Sequence, residues 1–319
     1  MQPSRRFLHL AQITLVFLYL VIIAGSVVRA TGSGMGCPDW PKCFGHWIPP
    51  TDVSQLPSNY RDYFKVQQQS IAPFNAIQTW TEYGNRLVGA ILGLLMFVQL
   101  IYSLTLRKTS PGLWRLSLAS LVLTGMEGVL GAIVVYQNLK TGVITMHMSL
   151  SLIILCVQTF LVFKASGQKK IIPANPYMRN LILCAFLFTL MQILLGTQVR
   201  ENVDVLLKNF DPGARKDVLD NTGPPFILHA LFAWILLALN LFVLFRIWKD
   251  KVFFAGTRKL ALALGIILVL EIMAGECLKL FALPAFVQPV HLLLASLLFG
   301  VQWTLWIRSG KTGNIALPI

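Results

Sequence analysis

The chain has 319 residues, 55% of them hydrophobic and 13% charged. Soluble domains carry about a quarter charged residues, so this composition excludes an ordinary water-soluble globule and fits a chain dissolved in hydrocarbon. The 27 basic against 13 acidic residues leave a net charge of +14, but the basic residues form no single patch, which argues against nucleic acid and for a membrane topology signal.

The first apolar run, about 10–28, follows Arg5 and Arg6. It lacks a short apolar core followed by a small-residue cleavage site, and more spans follow, so it reads as a retained helix. A Gly/Pro-rich loop of about 30–80 comes next, with Cys37 and Cys43; a short interfacial helix is weakly signalled in 52–79. Further apolar runs lie at about 86–106, 114–136, 143–163, 180–198, 226–245, 260–281 and 290–307. Each is near the roughly twenty residues that cross about 30 Å of hydrocarbon. The fold class is therefore an all-α integral membrane protein of eight transmembrane helices.

Basic residues orient it. Arg5 and Arg6, then Arg107, Lys108 and Arg115, then Lys164, Lys169, Lys170 and Arg179, then Arg246, Lys249, Lys251, Arg258 and Lys259, and finally Arg308 and Lys311 all fall on one side of an eight-span path. The positive-inside rule puts that side, with both termini, in the cytoplasm. The long loops, 30–80 and 199–224, face the other way and carry Asp39, Asp52, Glu201 and Asp217. Cys37 and Cys43 then lie on the oxidising face, where a disulfide can persist.

The polar residues inside the spans repeat. Asn85 and His147 are 62 apart, as are His229 and His291, and the pairs are offset by 144. At that offset Glu127 matches Glu271 and Gly131 matches Gly275, while Gly25–Arg29 matches Gly196–Arg200. Four helices duplicated once predict two pseudo-symmetric four-helix bundles, 1–168 and 169–319, each with a site between its helices.

His229 and His291 occupy equivalent positions in neighbouring helices, an arrangement suited to axial ligation of haem iron. Phe226, Trp234, Leu292 and Leu293 offer apolar surface for a porphyrin. Zinc fits less well, since no further Cys or carboxylate is evident at the pair. The first half offers His147 but Asn85 in the matching slot, and an amide is a poor iron ligand, so the halves are expected to differ in role. Glu82 shares a helix face with Asn85 and Arg86. It reads either as a functional carboxylate beside an apolar cavity or as half of a Glu82–Arg86 pair anchoring a helix end. Arg29 and Arg200 read either as partners of porphyrin propionates or as interfacial arginines. Glu127 and Glu271 fall toward the middle of their spans, where inter-helix hydrogen bonding is the plain alternative to function.

These residues resemble the haem A synthases, the family containing bacterial CtaA and mitochondrial COX15 proteins. The stretch from Gly25 to Cys43, reading GSVVRATGSGMGCPDWPKC, is similar to that family's first-helix and first-loop signature. Glu82–Gly89, Gly196–Arg200, His147, His229 and His291 also fall where the family has them, so the likeness covers nearly the whole chain. The resemblance implies haem b held by His229 and His291 in the C-terminal half, with Arg200 beside it. It implies haem O as substrate in the N-terminal half, with His147 approaching its iron, Glu82 as the essential carboxylate, and Asn85, Arg86 and Arg29 around it. It further implies a redox or loop-holding role for Cys37 and Cys43.

The reaction implied is oxidation of the C8 methyl of haem O to a formyl group, by way of a hydroxymethyl intermediate, for terminal oxidase assembly in the cytoplasmic membrane. Implied partners are haem O, a haem O synthase, a membrane electron donor, the lipid bilayer and a homo-oligomeric copy. Two departures stand out: Asn85 replaces a histidine usual in the family, and 199–224 has no second cysteine pair. Two other functions stay in view: a non-catalytic membrane b-type cytochrome with one bis-histidine haem, and a haem O carrier or assembly factor, for which Asn85 is the argument.

Overall fold

A computed structural model describes residues 5–167, 171–209 and 218–311. Eight helices in it are long and apolar enough to cross a membrane. They are α1 (Arg5–Ala30), α2 (Ala76–Leu104), α3 (Pro111–Tyr136), α4 (Thr141–Ala165), α5 (Pro176–Asn209), α6 (Pro224–Lys249), α7 (Lys251–Leu280) and α8 (Val287–Arg308). The eight-span all-α reading holds. Lys169, Lys170, Asp217 and the expected boundary at 168/169 lie outside the described residues.

Two helix ends differ from expectation. α2 starts ten residues before the apolar run, because the Asn75 side chain accepts from the amides of Ile77 (3.0 Å) and Gln78 (3.2 Å) and caps it. The first loop therefore ends at residue 75, and Glu82, Asn85 and Arg86 stand inside a helix. α5 continues through Arg200, where a polar Arg200–Asp204 pair (2.8 Å) one turn apart supports helix without hydrophobicity.

The chain divides into two compact units, Met1–Ala165 and Ser166–Ile319. In the first, α1 packs on α2 and α4 while α3 packs on the same two, closing a ring of four helices. In the second, α5 packs on α6 and α8 while α7 packs on the same two. The hairpins repeat as well. Asn138 and Leu139 between α3 and α4 have φ of 50° and 59°; Ala282 and Leu283 between α7 and α8 have 56° and 61°. Both turns thus use a left-handed pair at the same offset of 144 that relates the histidines.

A buried polar layer, not foreseen from the sequence, joins the helices of the first unit. Gln158 of α4 donates to the Ala11 carbonyl (3.0 Å) and to Gln99 (2.8 Å), and accepts from Ser120 (3.2 Å). Gln302, again 144 residues on, donates to Asn240 (2.8 Å) in the second unit. Gln158→Leu is expected to lower stability by about 1–2 kcal/mol, since amide bonds between helices have about that worth in lipid. Equilibrium unfolding in mixed micelles measures it. A variant as stable as the parent would show that the layer adds nothing.

Loop 31–75 has a small core of its own in place of the expected interfacial helix. Single helical turns at Val53–Gln55 and Tyr60–Tyr63 surround a cluster of Cys37, Cys43, Phe44, Leu56, Tyr60, Val66 and Ile71. Phe44 meets Tyr60, Phe64 and Phe74 edge-on at ring distances of 6.3, 5.4 and 5.6 Å. Cys37 and Cys43 form a disulfide. In the second unit a short parallel pair, β1 (Ile172–Ala174) with β2 (Ser309–Lys311), joins the stretch before α5 to the end of α8.

In the first unit Arg107 lies over Trp114 (4.7 Å); in the second Arg179 lies over Trp306 (4.5 Å) and Arg246 over Tyr177 (5.0 Å). Such amphipathic pairs suit a membrane–water boundary.

Candidate functional site

In the second unit, His229 of α6 and His291 of α8 meet with ring centres 6.4 Å apart and planes at 83°. The cause is local. α5 presents Gly196 and α7 presents Gly275 to the two rings: a Cβ on Gly196 would lie 3.1 Å from His229 Cε1, and one on Gly275 would lie 3.4 Å from His291 Cε1. Each imidazole rests on backbone because there is no side chain beneath it. Gln192 of α5 donates to the His229 carbonyl (2.9 Å). On α7, Glu271 Oε1 stands 3.1 Å from His291 Nδ1.

This separation also tests whether a haem fits. Two metal–nitrogen bonds of about 2 Å each, plus the distance of about 1.1 Å from nitrogen to ring centre on either side, span roughly 6 Å. The observed 6.4 Å agrees. Among the described residues no three His, Cys, Asp or Glu side chains gather as a metal cage. A porphyrin needs none, because it supplies four nitrogens and leaves two axial positions to the protein.

The first unit has the same frame with one histidine position changed. Asn85 of α2 takes the slot of His229; a Cβ on Gly25 of α1 would be 3.9 Å from its Oδ1, which is buried without a hydrogen-bond partner. His147 of α4 takes the slot of His291; a Cβ on Gly131 of α3 would lie 3.4 Å from its Cε1, and Glu127 Oε1 is 3.2 Å from its Nδ1. The sequence places the glutamates deeper than the histidines; the structure puts each pair in one layer.

Glu82 and Arg86 do come together, and they hold the loop. Arg86 Nη2 donates to Glu82 Oε1 at 2.5 Å, and both side chains are nearly buried, 14% and 5% exposed. Glu82 Oε2 accepts from the Cys37 amide (2.9 Å). Arg86 also donates to the carbonyls of Cys37 (3.2 Å), Asp39 (2.7 Å) and Lys42 (2.9 Å). The disulfide-closed segment is therefore clasped onto the second and third turns of α2. Neither Glu82 oxygen bonds Asn85. Gly36 is needed for this seating, since a Cβ there would collide with the backbone of Gln78 and Thr79.

Arg29 and Arg200 both lie near the histidine helices. Arg29 approaches the sulfur of Met148 (3.8 Å), next to His147. Arg200 donates to Gln288 (2.6 Å), one turn before His291, and pairs with Asp204. Sequence reasoning named the glutamates as candidates for inter-helix contact but missed that they stand at the histidines. Their signal was present: Glu127 precedes His147 by twenty residues and Glu271 precedes His291 by twenty. In a tight helical hairpin, residues equidistant from the turn share a depth.

Replacing Gly196 by valine is expected to displace the His229 ring and reduce any haem bound at the pair by about tenfold or more, the cost typical of disturbing a ligand's support. Haem content per folded protein measures this. Content unchanged from the parent would show that the glycine floor is dispensable.

A family model described as a cytochrome oxidase assembly protein, COX15-CtaA, matches residues 9–303. Among curated relatives, a haem A synthase of Shewanella oneidensis is 29% identical over 96% of this chain and 98% of its own length. Haem A synthases of a Methylobacterium species (28% identical, covering 98% and 92%) and of Shouchella clausii (29%, covering 91% and 93%) are similarly related over nearly full length.

Proposed function

Because this chain belongs to the COX15-CtaA family of cytochrome oxidase assembly proteins, we propose that it is a haem A synthase, a membrane oxidoreductase that converts the C8 methyl of haem O to the formyl group of haem A through a hydroxymethyl intermediate. The observation that carries this reading is the His229–His291 pair on its glycine floor, at a spacing that fits a haem and within a multi-pass chain.

The roles follow the two units, taken as the 1–168 and 169–319 halves. His229 and His291 would hold haem b, with Arg200 toward a propionate. When bound there, a coordinatively full haem supplies one-electron transfer. His147 would face the iron of the substrate haem O, and Arg29 its propionate edge. Asn85 cannot ligate iron well, which leaves one face of the substrate haem open. Glu82 and Arg86 would keep the loop closed over that site, excluding water and fixing the methyl that reacts. The chain would lie in the cytoplasmic membrane with both termini in the cytoplasm, taking haem O from the bilayer or from a haem O synthase; the oxygen put on the methyl comes either from O2, reduced with electrons from a membrane donor, or from water, with the methyl's electrons passed to a membrane acceptor, and a homo-oligomer belongs to the same reading.

The test is extraction and mass analysis of haems from membranes that hold this chain together with a source of haem O. Haem A or its hydroxymethyl intermediate is expected. Haem b with unchanged haem O, from folded protein, would overturn the reading. One observation favours a second function: Asn85 stands where a histidine ligand would complete a pair, as a haem O carrier or a plain b-type cytochrome would tolerate. Glu82→Ala separates the two, since a carrier would keep haem O binding where the enzyme loses product.

A further inference from the structure

Four polar side chains of α3, α4, α7 and α8 form two like pairs that the proposed function leaves without a purpose for the glutamates. Glu127 Oε1 lies 3.2 Å from His147 Nδ1, and Glu271 Oε1 lies 3.1 Å from His291 Nδ1. Neither His147 Nδ1 nor His291 Nδ1 has a formal hydrogen bond, so each contact is a close charge-to-ring approach. Both second oxygens, Glu127 Oε2 and Glu271 Oε2, are buried and bond nothing. A carboxylate inside a membrane span is costly and is normally kept for a partner.

We propose that Glu127 and Glu271 are positioning residues that orient His147 and His291 toward haem iron. The inference rests on the haem-binding reading of those histidines and deepens it. A carboxylate at Nδ1 selects the tautomer that carries its proton on Nδ1, which leaves the Nε2 lone pair directed away from the glutamate. It also increases the electron donation of the ring to a bound metal. Gly131 and Gly275 lie against the Cε1 edges of the same rings, so each imidazole is fixed from two sides, by backbone beneath and carboxylate behind.

The opposite ligand positions lack this support. His229 has no carboxylate against its ring among the described residues; its neighbour is the Gln192 amide nitrogen, 3.5 Å from Nε2. Asn85 has no polar partner. Each unit is thus built with one strongly donating position, on its last helix, and one weak one. An incidental contact between helices would have no reason to recur with the same atoms, the same twenty-residue spacing and the same glycine floor.

The test uses full-length protein purified with its haem. Glu271→Gln is expected to keep a low-spin haem but raise its midpoint potential, shift its electron paramagnetic resonance signal, and weaken haem retention by about 10–100-fold. Glu127→Gln is expected to leave those properties of the haem at His229 and His291 unchanged while weakening haem O binding to a similar degree. If the glutamine variants do not fold, Glu271→Asp and Glu127→Asp, which withdraw the carboxylate by one methylene, should move the same readouts in the same direction. A Glu271→Gln or Glu271→Asp protein with parental potential, resonance and haem retention would overturn the proposal. His291→Ala tells the two failures apart: if it too leaves the haem untouched, the haem-binding reading itself is wrong.

Discussion

Alanine at either His229 or His291 is expected to empty the second unit of low-spin haem, while alanine at His147 leaves that haem in place. The two rings are the only imidazoles among the described residues that pair with each other, at 6.4 Å between centres and with planes at 83°. Losing an iron ligand outright should cost more than the 10–100-fold typical of losing the group behind it. Gly196 and Gly275 have no side chains that could take over. Reduced-minus-oxidised spectra and haem content per mole of purified protein give the result. Parental spectra in both alanine variants would move the haem elsewhere and remove the observation on which the proposed function stands.

The second large effect is expected at the clasp. Glu82→Ala or Arg86→Ala should abolish haem A formation while leaving the second unit's haem at its parental level. Removing one member of a nearly buried ion pair leaves the other uncompensated, a loss of about 3–5 kcal/mol. Here the loss falls on one place. Without Arg86 the carbonyls of Cys37, Asp39 and Lys42 lose their donor; without Glu82 the Cys37 amide loses its acceptor. The loop should then lift from α2, and Cys37 and Cys43 should become much faster to alkylate after mild reduction. Product loss with a loop still protected would instead make Glu82 a participant in the chemistry. Normal product with a freed loop would remove the loop from the reaction altogether.

Much of this was legible in the sequence because the bilayer enforces a simple code. Twenty apolar residues must appear for each crossing, so eight spans could be counted directly. The duplication was legible because rare polar residues in apolar runs are conspicuous, and Asn85, His147, His229 and His291 carry their offset openly. What stayed hidden depends on contacts across helices. Glu127 and Glu271 were seen as a repeat, but their pairing with histidines follows from where the left-handed turns at 138–139 and 282–283 fold each hairpin. The start of α2 was set by an asparagine cap that hydropathy does not register. Gln158 and Gln302 share the 144-residue offset too, yet an amide in a span has no meaning until its partner helix is known. Glu82 shows the reverse case. One of its two readings paired it with Arg86, while its hold on Cys37, forty-five residues away in sequence, needed the fold.

The pairing of Ile172–Ala174 with Ser309–Lys311 bears on how the protein can be handled. Arg179 also donates to the Ser309 carbonyl, and Ile172 sits where any side chain at Gly256 would press, so the chain just after α8 serves as the staple on the entry to α5. Affinity tags and fluorescent reporters should therefore be joined beyond Lys311, because a fusion or truncation that cuts at Arg308 would pull the staple and loosen the second unit at the end farthest from its histidines.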